Sequence, residues 1–285
     1  TASSFLEDSV KNLKNKFELL SPNFKDDQIS QQKLNKFQSE FEKLANNEIE
    51  MALYFRDLNN GPWISYNPIS LFDGASLLKV PVMISYLKVS ESYPEILKTK
   101  INYQEDVYKD EKYDPVFDKT LKIGHDYSIE YLIETMIQKS DNTANRLLRL
   151  AENEFQFRPN IQETYKLLGL DNESNDIFID EYAGIFRILY NAEYLDGETS
   201  NKALEIMTKT DYNNGLTKYL PSDIKIAHKY GIRFYEDDES YHLHDCGIIY
   251  TDNPYILCVM TLGYNLEQQE ELVAKISKTS YEIFR

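Results

Sequence analysis

The stretch DGASLLKVPVM, residues 73–83, carries a serine and a lysine three positions apart, Ser76 and Lys79. On a helix this spacing places both side chains on one face, where they can share a proton. Pro81 has no amide hydrogen and is tolerated only in a first helical turn, so the helix must begin close to Ser76. Backbone N–H groups at such a helix start can stabilise an oxyanion. The stretch therefore predicts a nucleophilic serine at a helix N-terminus with a lysine beside it.

The neighbours of Lys79 favour its use as a base. Leu77, Leu78 and Val80 flank it, and an apolar environment lowers the pKa of a lysine so that its neutral amine can act. Such an amine can take the proton of a serine hydroxyl, which is otherwise a poor nucleophile near neutral pH. The alternative is a surface serine beside a lysine whose aliphatic stem covers apolar surface.

Two other short motifs contain residues suited to the same chemistry. Residues 139–145, KSDNTAN, include Ser140 and Asn142 between two amphipathic helical patterns; alone, they are typical of caps and turns. Residues 227–231, AHKYG, open a β-type region. There, Lys229 followed by a nearby glycine can bring a cation and a close backbone edge to a carboxylate, although alone the segment is an ordinary strand.

The period of the apolar residues changes along the chain. It is helical near the start, in the middle and at the end, and β-type next to both ends. Strands at both ends with helices between them predict one sheet built from both termini. The β-type runs are residues 49–55, 63–66, 224–234, 247–250 and 255–262, and the helical segments are about 31–46, 76–220 and 266–284.

This pattern predicts an α/β (α+β) fold of two lobes, with an antiparallel sheet built from both termini, flanking helices and an inserted all-α lobe. The α/β lobe comprises residues 30–75 and 221–285, and the all-α lobe comprises residues 76–220. Residues 1–29 form an N-terminal arm. The two lobes make one discontinuous unit.

The charge balance limits the function classes. The 285 residues contain 31 Lys and Arg against 47 Asp and Glu, a formal net charge of −16. A nucleic-acid binder needs an excess of clustered cations, so no nucleic-acid partner is expected. No apolar run approaches the ~20 residues that span a bilayer, and the start at Thr1 has no signal-like pattern. A chain that starts there is expected to be processed or truncated.

The two cysteines are predicted to be buried thiols rather than a disulfide. Cys246 and Cys258 lie in two apolar runs joined by a turn at residues 251–254. If the turn pairs Tyr250 with Tyr255, Cys246 does not face Cys258, which points to the other side of the sheet. Cysteine usage leaves the redox compartment open.

The histidines are not expected to form a metal site. His242, His244 and Asp245 could supply two imidazoles and a carboxylate to Zn²⁺. They follow the acidic run at residues 236–239 in what the sequence indicates to be a loop, so solvated histidines are favoured. There is no phosphate-binding glycine loop or nucleotide fingerprint, and no cofactor is predicted.

The three motifs occur in one order and in the secondary structure that their chemistry needs. Ser-x-x-Lys begins a helix, Ser-Asp-Asn lies between helices, and Lys-x-Gly lies on a strand. This combination resembles the serine β-lactamases and penicillin-binding proteins. The helix and hairpin at the start and the strands and helix at the end are most similar to the class A β-lactamase catalytic domain, over about residues 30–285.

The resemblance implies roles for four residues in the reaction. Ser76 is the acylated nucleophile, and Lys79 takes or relays its proton. Ser140 passes a proton to the leaving nitrogen. Asn142 holds the substrate amide and the Lys79 side chain.

The resemblance also implies a substrate-binding strand. Lys229 attracts the substrate carboxylate, and the N–H groups of Ser76 and Ile232 form an oxyanion hole in a cleft between the lobes. This sequence departs from the family because Tyr230 stands where the family has Thr or Ser. Arg233, two residues beyond Gly231, is either a replacement grip on the carboxylate or a solvent-facing side chain.

A second departure concerns deacylation. Class A enzymes use a glutamate on a long loop of the α lobe, but here the connection at residues 168–176 is short and lacks Glu-x-x-Leu-Asn. Its one glutamate, Glu173, is interpreted as a solvated loop carboxylate. The deacylating base is therefore expected to be missing.

The sequence thus predicts a penicillin-recognising serine hydrolase that acylates on Ser76 and deacylates slowly. The alternatives are a D-alanyl-D-alanine peptidase acting on cell-wall peptides and a catalytically inactive binding module of the same fold. The expected partner is a small β-lactam or a cell-wall peptide, and the expected state is a monomer. The resemblance implies an exported, periplasmic or extracytoplasmic location, with a membrane anchor in a removed N-terminal segment left open.

Overall fold

The computed structural model describes residues 31–45, 47–59, 61–105, 107, 120–154, 158–170 and 174–285. The predicted N-terminal arm, residues 1–29, lies outside these residues. Among the described residues, no helix is long and apolar enough to cross a membrane.

The described residues contain nine strands, five of which form the main sheet. The strands are β1 (Glu50–Asp57), β2 (Trp63–Tyr66), β3 (Leu71–Asp73), β4 (Lys100–Tyr103), β5 (His125–Ser128), β6 (Asp176–Phe178), β7 (Lys225–Tyr235), β8 (Ser240–Tyr250) and β9 (Tyr255–Gly263). The main sheet is antiparallel in the order β2-β1-β9-β8-β7. Strands from the two ends of the described chain therefore share one sheet, as predicted.

Eight α-helices lie in the same part of the chain. They are α1 (Gln31–Leu44), α2 (Lys79–Ser90), α3 (Ile129–Gln138), α4 (Asn142–Ala151), α5 (Ile161–Leu167), α6 (Ile179–Tyr190), α7 (Gly197–Met207) and α8 (Leu266–Phe284). Two 3₁₀ segments, Ala75–Leu78 and Pro94–Lys98, complete the set. The predicted α/β fold class with flanking and inserted helices is confirmed, whereas the residue bounds of the lobes stay a prediction.

The main sheet separates two apolar cores because successive side chains on a strand point to opposite faces. On β1, Phe55 faces the terminal helices, where its ring lies 5.4 Å from that of Phe37 on α1 and 4.3 Å from that of Phe284 on α8. The next residue toward the start, Tyr54, belongs to the core beneath the helical segment. Both faces are covered, so the central strands β1 and β9 are buried at nearly every residue.

The middle of the chain is not entirely helical, and that prediction is wrong in two places. Strand β3 pairs with β6, and β4 pairs with β5, in two small antiparallel sheets. These strands have only three or four residues each. A run that short does not show a β-type period, so the sequence pattern gave no signal for it.

The prediction for the cysteines is also wrong. Ile249, not its neighbour, pairs with Tyr255, so the turn between β8 and β9 takes one more residue than predicted. A one-residue slip in register changes every partner. Cys246 therefore lies directly opposite Cys258, and the structure joins the two in a disulfide.

The region around His242 and His244 is strand rather than loop, which corrects a further prediction. Strand β8 begins at Ser240, immediately after the acidic turn, and carries both histidines on one face. His244 is fully buried and His242 is half-buried. Within the described ranges no group of three or more His, Cys, Asp or Glu side chains is arranged to hold a metal ion.

Candidate active site

Ser76 lies in the 3₁₀ turn Ala75–Leu78, which leads directly into α2. Pro81 is the third residue of α2 and cannot donate to the Leu77 carbonyl four residues earlier. The hydroxyl of Tyr182 donates to that carbonyl at 3.1 Å instead. Ala75 has a φ of 45°, a left-handed conformation that a residue with a side chain adopts at a cost. The chain is thus held in a sharp turn that presents Ser76.

Lys79 connects Ser76 with the second motif. Its Nζ lies 3.0 Å from Ser76 Oγ, 2.5 Å from Asn142 Oδ1 and 3.4 Å from Ser140 Oγ, and it also donates to the Ser140 carbonyl. The Lys79 side chain is buried, with 4% of its surface exposed. All four residues predicted to take part in the reaction are therefore in contact.

The second motif owes its position to the junction between α3 and α4. Ser140 has a φ of 57°, so the chain reverses sharply there. The next residue, Asp141, caps α4 by accepting a hydrogen bond from Ala144 N at 2.7 Å. Asn142 is the first residue of α4, and the cap fixes its orientation toward Lys79.

Lys229 is a second lysine in contact with Ser140. Its Nζ donates to Ser140 Oγ at 2.8 Å and to the Tyr230 carbonyl at 2.8 Å. The Lys229 side chain has no exposed surface. Burial and, to a smaller degree, the charge of Lys79 lower the pKa of Lys229 well below its ordinary value. Ser140 thus lies between two lysines.

Gly231 allows strand β7 to approach the serine turn closely, whereas the predicted approach of that strand to a substrate carboxylate stays a prediction. A methyl group there would lie 3.1 Å from Ser76 N, 3.2 Å from Leu77 N and 3.2 Å from the carbonyl of Gly74. Strand β7 is the edge of the sheet, and it therefore meets the serine turn backbone to backbone. Ile232 is the next residue of that strand, and its part in an oxyanion hole with Ser76 stays a prediction.

The Tyr230 side chain lies between Tyr212 and the ammonium of its neighbour Lys229. Its ring stacks on that of Tyr212, with centroids 4.1 Å apart and planes at 16°. The Nζ of Lys229 lies 4.2 Å from the Tyr230 centroid, within range of a cation–π interaction. The sequence did not identify Tyr212, which lies in the segment between α7 and β7 and has no motif around it.

Arg233 pairs with a residue of the protein. Its guanidinium lies 3.2 Å from Asp73 Oδ2, although 47% of its side chain is exposed. Tyr235 donates to the same carboxylate oxygen at 2.5 Å, and Arg233 lies over the Tyr235 ring. Alternation along a strand places Arg233 and Tyr235 on one side, a signal from which sequence reasoning could have found the second residue.

Two histidines hold the backbone of Asp73, three residues before Ser76. Asp73 N donates to His242 Nδ1 at 3.2 Å, and His244 Nε2 lies 2.8 Å from the Asp73 carbonyl. Burial lowers the pKa of His244 to about 4, so the ring is neutral near pH 7 and donates from Nε2. The histidines that the sequence assigned to a loop therefore support the serine turn.

The connection predicted to lack a deacylating base is described only in part. Residues 168–170 and 174–176 are described, whereas Glu173 lies outside the described residues. Asp176 pairs across β3 and β6 with Asp73. The absence of a deacylating carboxylate stays a prediction.

Known proteins match this chain over most of its length. The family model described as Beta-lactamase enzyme family matches residues 33–284. The structure of PBP-A gives a TM-score of 0.70 at 20% identity, covering 88% of this chain and 96% of that one. A PBP-A mutant, an acyl-enzyme complex with penicillin G, gives a TM-score of 0.69 at 20% identity, covering 88% of this chain and 97% of that one. A representative of class A beta-lactamase from Bacteroides cellulosilyticus DSM 14838 gives a TM-score of 0.74 at 18% identity, covering 88% of this chain and 98% of that one. At these identities the structural likeness establishes the fold.

Proposed function

Because the chain belongs to the Beta-lactamase enzyme family, we propose that it is a penicillin-recognising serine hydrolase that forms an acyl-enzyme on Ser76. The observation that carries the proposal is the contact between Ser76 Oγ and Lys79 Nζ at 3.0 Å, with Ser140 Oγ 3.4 Å from the same amine. This is the arrangement of a nucleophile with an adjacent base. The acyl-enzyme of a PBP-A mutant with penicillin G supports the same chemistry by analogy.

The acylation step uses only side chains of this constellation. Neutral Lys79 takes the proton of Ser76 Oγ while that oxygen bonds to the carbonyl carbon of the substrate. The N–H groups of Ser76 and Ile232 stabilise the oxyanion that develops. When the C–N bond breaks, Ser140 gives a proton to the leaving nitrogen and receives one from Lys79. The serine proton thus ends on the nitrogen, and Lys79 is neutral again.

We propose slow deacylation as the second part of the function. Hydrolysis of an acyl-serine needs a base that activates water, and the short connection at residues 168–176 lacks the motif that supplies one in class A enzymes. A β-lactam would then remain bound to Ser76 for longer than a class A enzyme retains it, and β-lactamase turnover would be weak.

A catalytically inactive binding module is the second candidate, and one observation favours it. The Tyr230 ring lies over the Lys229 ammonium in the region proposed to bind substrate. The same ring would hinder the carboxylate of a penicillin and that of a D-alanyl-D-alanine peptide alike, so it does not separate the peptidase alternative from the proposed function. The proposed location is extracytoplasmic, and the disulfide between Cys246 and Cys258 supports it, since disulfides persist in oxidising compartments.

Labelling with a fluorescent penicillin followed by intact-mass measurement tests the proposed function. We expect one adduct on the wild-type protein and none on Ser76→Ala. Ser85→Ala is the matched control, because Ser85 is a buried serine on α2 whose hydroxyl contributes nothing to the proposed reaction; it should label like the wild type. An unchanged adduct on Ser76→Ala would reject the acyl-enzyme on Ser76. Absence of an adduct on the folded wild type with both a penicillin and its methyl ester would reject it too and favour the binding module.

A further inference from the structure

The group expected to hold a substrate carboxylate is already occupied by the protein. The ammonium of Lys229 has three N–H donors, and it donates to Ser140 Oγ and to the Tyr230 carbonyl. The face of the Tyr230 ring covers it at 4.2 Å from the centroid. With no exposed surface on its side chain, Lys229 cannot meet a carboxylate unless that ring moves.

The Tyr230 ring is held in place by Tyr212. It stacks on Tyr212, and the Tyr212 hydroxyl donates to Glu270 Oε1 on α8 at 2.9 Å. Movement of the Tyr230 ring would break the stack and the cation–π contact together. A Thr or Ser at this position would leave the volume of the ring open.

The local charge is also unfavourable for a carboxylate. Burial and the neighbouring Lys79 lower the pKa of Lys229, and the opposing effects of Asp245 and Asp211 are smaller. The other cation, Arg233, pairs with Asp73. A carboxylate brought to this end of the cleft would lose its water and meet a Lys229 ammonium shielded by the Tyr230 ring and an Arg233 guanidinium already paired with Asp73.

We propose that Tyr230 is a specificity-determining residue that directs Ser76 toward acyl donors without a carboxylate next to the scissile bond, namely neutral lactams, amides or esters. With the ring in place such donors lose nothing, because they need no charge at this end of the cleft, whereas a Thr or Ser at this position would leave the Lys229 ammonium accessible. The inference rests on the proposed acyl-enzyme function and names its substrate class.

Penicillin G and its methyl ester differ by one carboxylate charge and test the inference. The second-order rate constant for adduct formation is measured for each by intact mass. In the wild type we expect the ester to react at least as fast as the acid. In Tyr230→Thr the rate with the acid should rise about tenfold or more relative to the ester. Tyr230→Phe, which keeps the ring, should retain the wild-type ratio.

The outcomes separate this inference from the function on which it rests. A wild type that reacts about tenfold faster with the acid overturns the inference while leaving the acyl-enzyme intact. An unchanged acid-to-ester ratio in folded Tyr230→Thr does the same. If neither donor labels Ser76 in any variant, the proposed function fails and the inference fails with it. If Tyr230→Thr does not fold, the ratio of the acid and ester rate constants in the wild type still tests the inference.

Discussion

Replacement of Gly231 by alanine should separate strand β7 from the serine turn. The added methyl group would lie 3.1 Å from Ser76 N and 3.2 Å from both Leu77 N and the Gly74 carbonyl. All three neighbours are backbone atoms, so none can rotate away, and the strand or the turn must shift by a few tenths of an ångström. Overpacking of this kind costs about 1–3 kcal/mol, which lowers the melting temperature by about 2–4 °C per kcal/mol.

The same shift should impair acylation more than stability. Lys229 reaches the site from β7, and the N–H of Ile232 on the same strand is predicted to form part of the oxyanion hole. Small misplacements of positioned groups cost about 10²-fold in rate. The assay is the rate of penicillin adduct formation by intact mass, together with thermal unfolding.

Gly184→Ala is the matched control for this substitution. Gly184 lies inside α6 with no atom within 4 Å of an added methyl group. Alanine should stabilise the helix by up to about 1 kcal/mol and leave acylation unchanged. Acylation of Gly231→Ala within roughly twofold of the wild type, at an unchanged melting temperature, would contradict the expected separation of β7 from the serine turn.

Three other changes have defined outcomes. Tyr182→Phe removes the hydroxyl bonded to the Leu77 carbonyl and should lower the free energy of unfolding in urea by about 1–3 kcal/mol; no loss would contradict that role. The pKa of His244 is about 4 in the folded protein and about 6.5 in the unfolded chain. The contribution of neutral His244 to the free energy of unfolding is therefore complete above about pH 6.5 and is lost as the pH falls toward 4. Between pH 7 and pH 5 the free energy of unfolding of the wild type should fall by about 2 kcal/mol more than that of His244→Gln. Urea unfolding of both proteins at the two pH values measures this difference. Replacing Cys246 and Cys258 by alanine removes a link across a sequence separation of 12 and should cost about 2–3 kcal/mol. Alkylation of the unfolded, unreduced wild type should find no thiol, and two adducts would disprove the disulfide.

The contacts of the candidate site that the sequence predicted are those set by local geometry. Ser76 and Lys79 are three residues apart at a helix start, so their contact follows from helix geometry alone. Pro81 located that start, and in the structure it lies in the first turn of α2. The placement of Ser140 and Lys229 beside them came from the resemblance, because no local rule joins residues so far apart along the chain.

The parts that the sequence missed depend on strand register and on long-range packing. The pairing of Cys246 with Cys258 depends on a single residue in the turn between β8 and β9. Two acceptable lengths of that turn place the two cysteines on the same face or on opposite faces of the sheet. His244 was assigned to a loop because the acidic residues before it dominate the local pattern, although the strand begins immediately after them. The stack of Tyr230 on Tyr212 joins a strand to an irregular segment, and no period encodes such a contact.

The pairing of β1 with β9 sets the order in which the molecule can fold during synthesis. Every residue of β1 pairs with β9, from Glu50 with Leu262 to Asp57 with Tyr255, so about 200 residues separate the two strands. At ordinary translation rates of about 5–20 residues per second, roughly 10–40 s pass between their appearance. For most of that time β1 has only β2 as a partner, and the serine turn has been made without β7, the strand that carries Lys229. Contacts of this sequence separation close slowly, and the active site is therefore completed among the last events of folding.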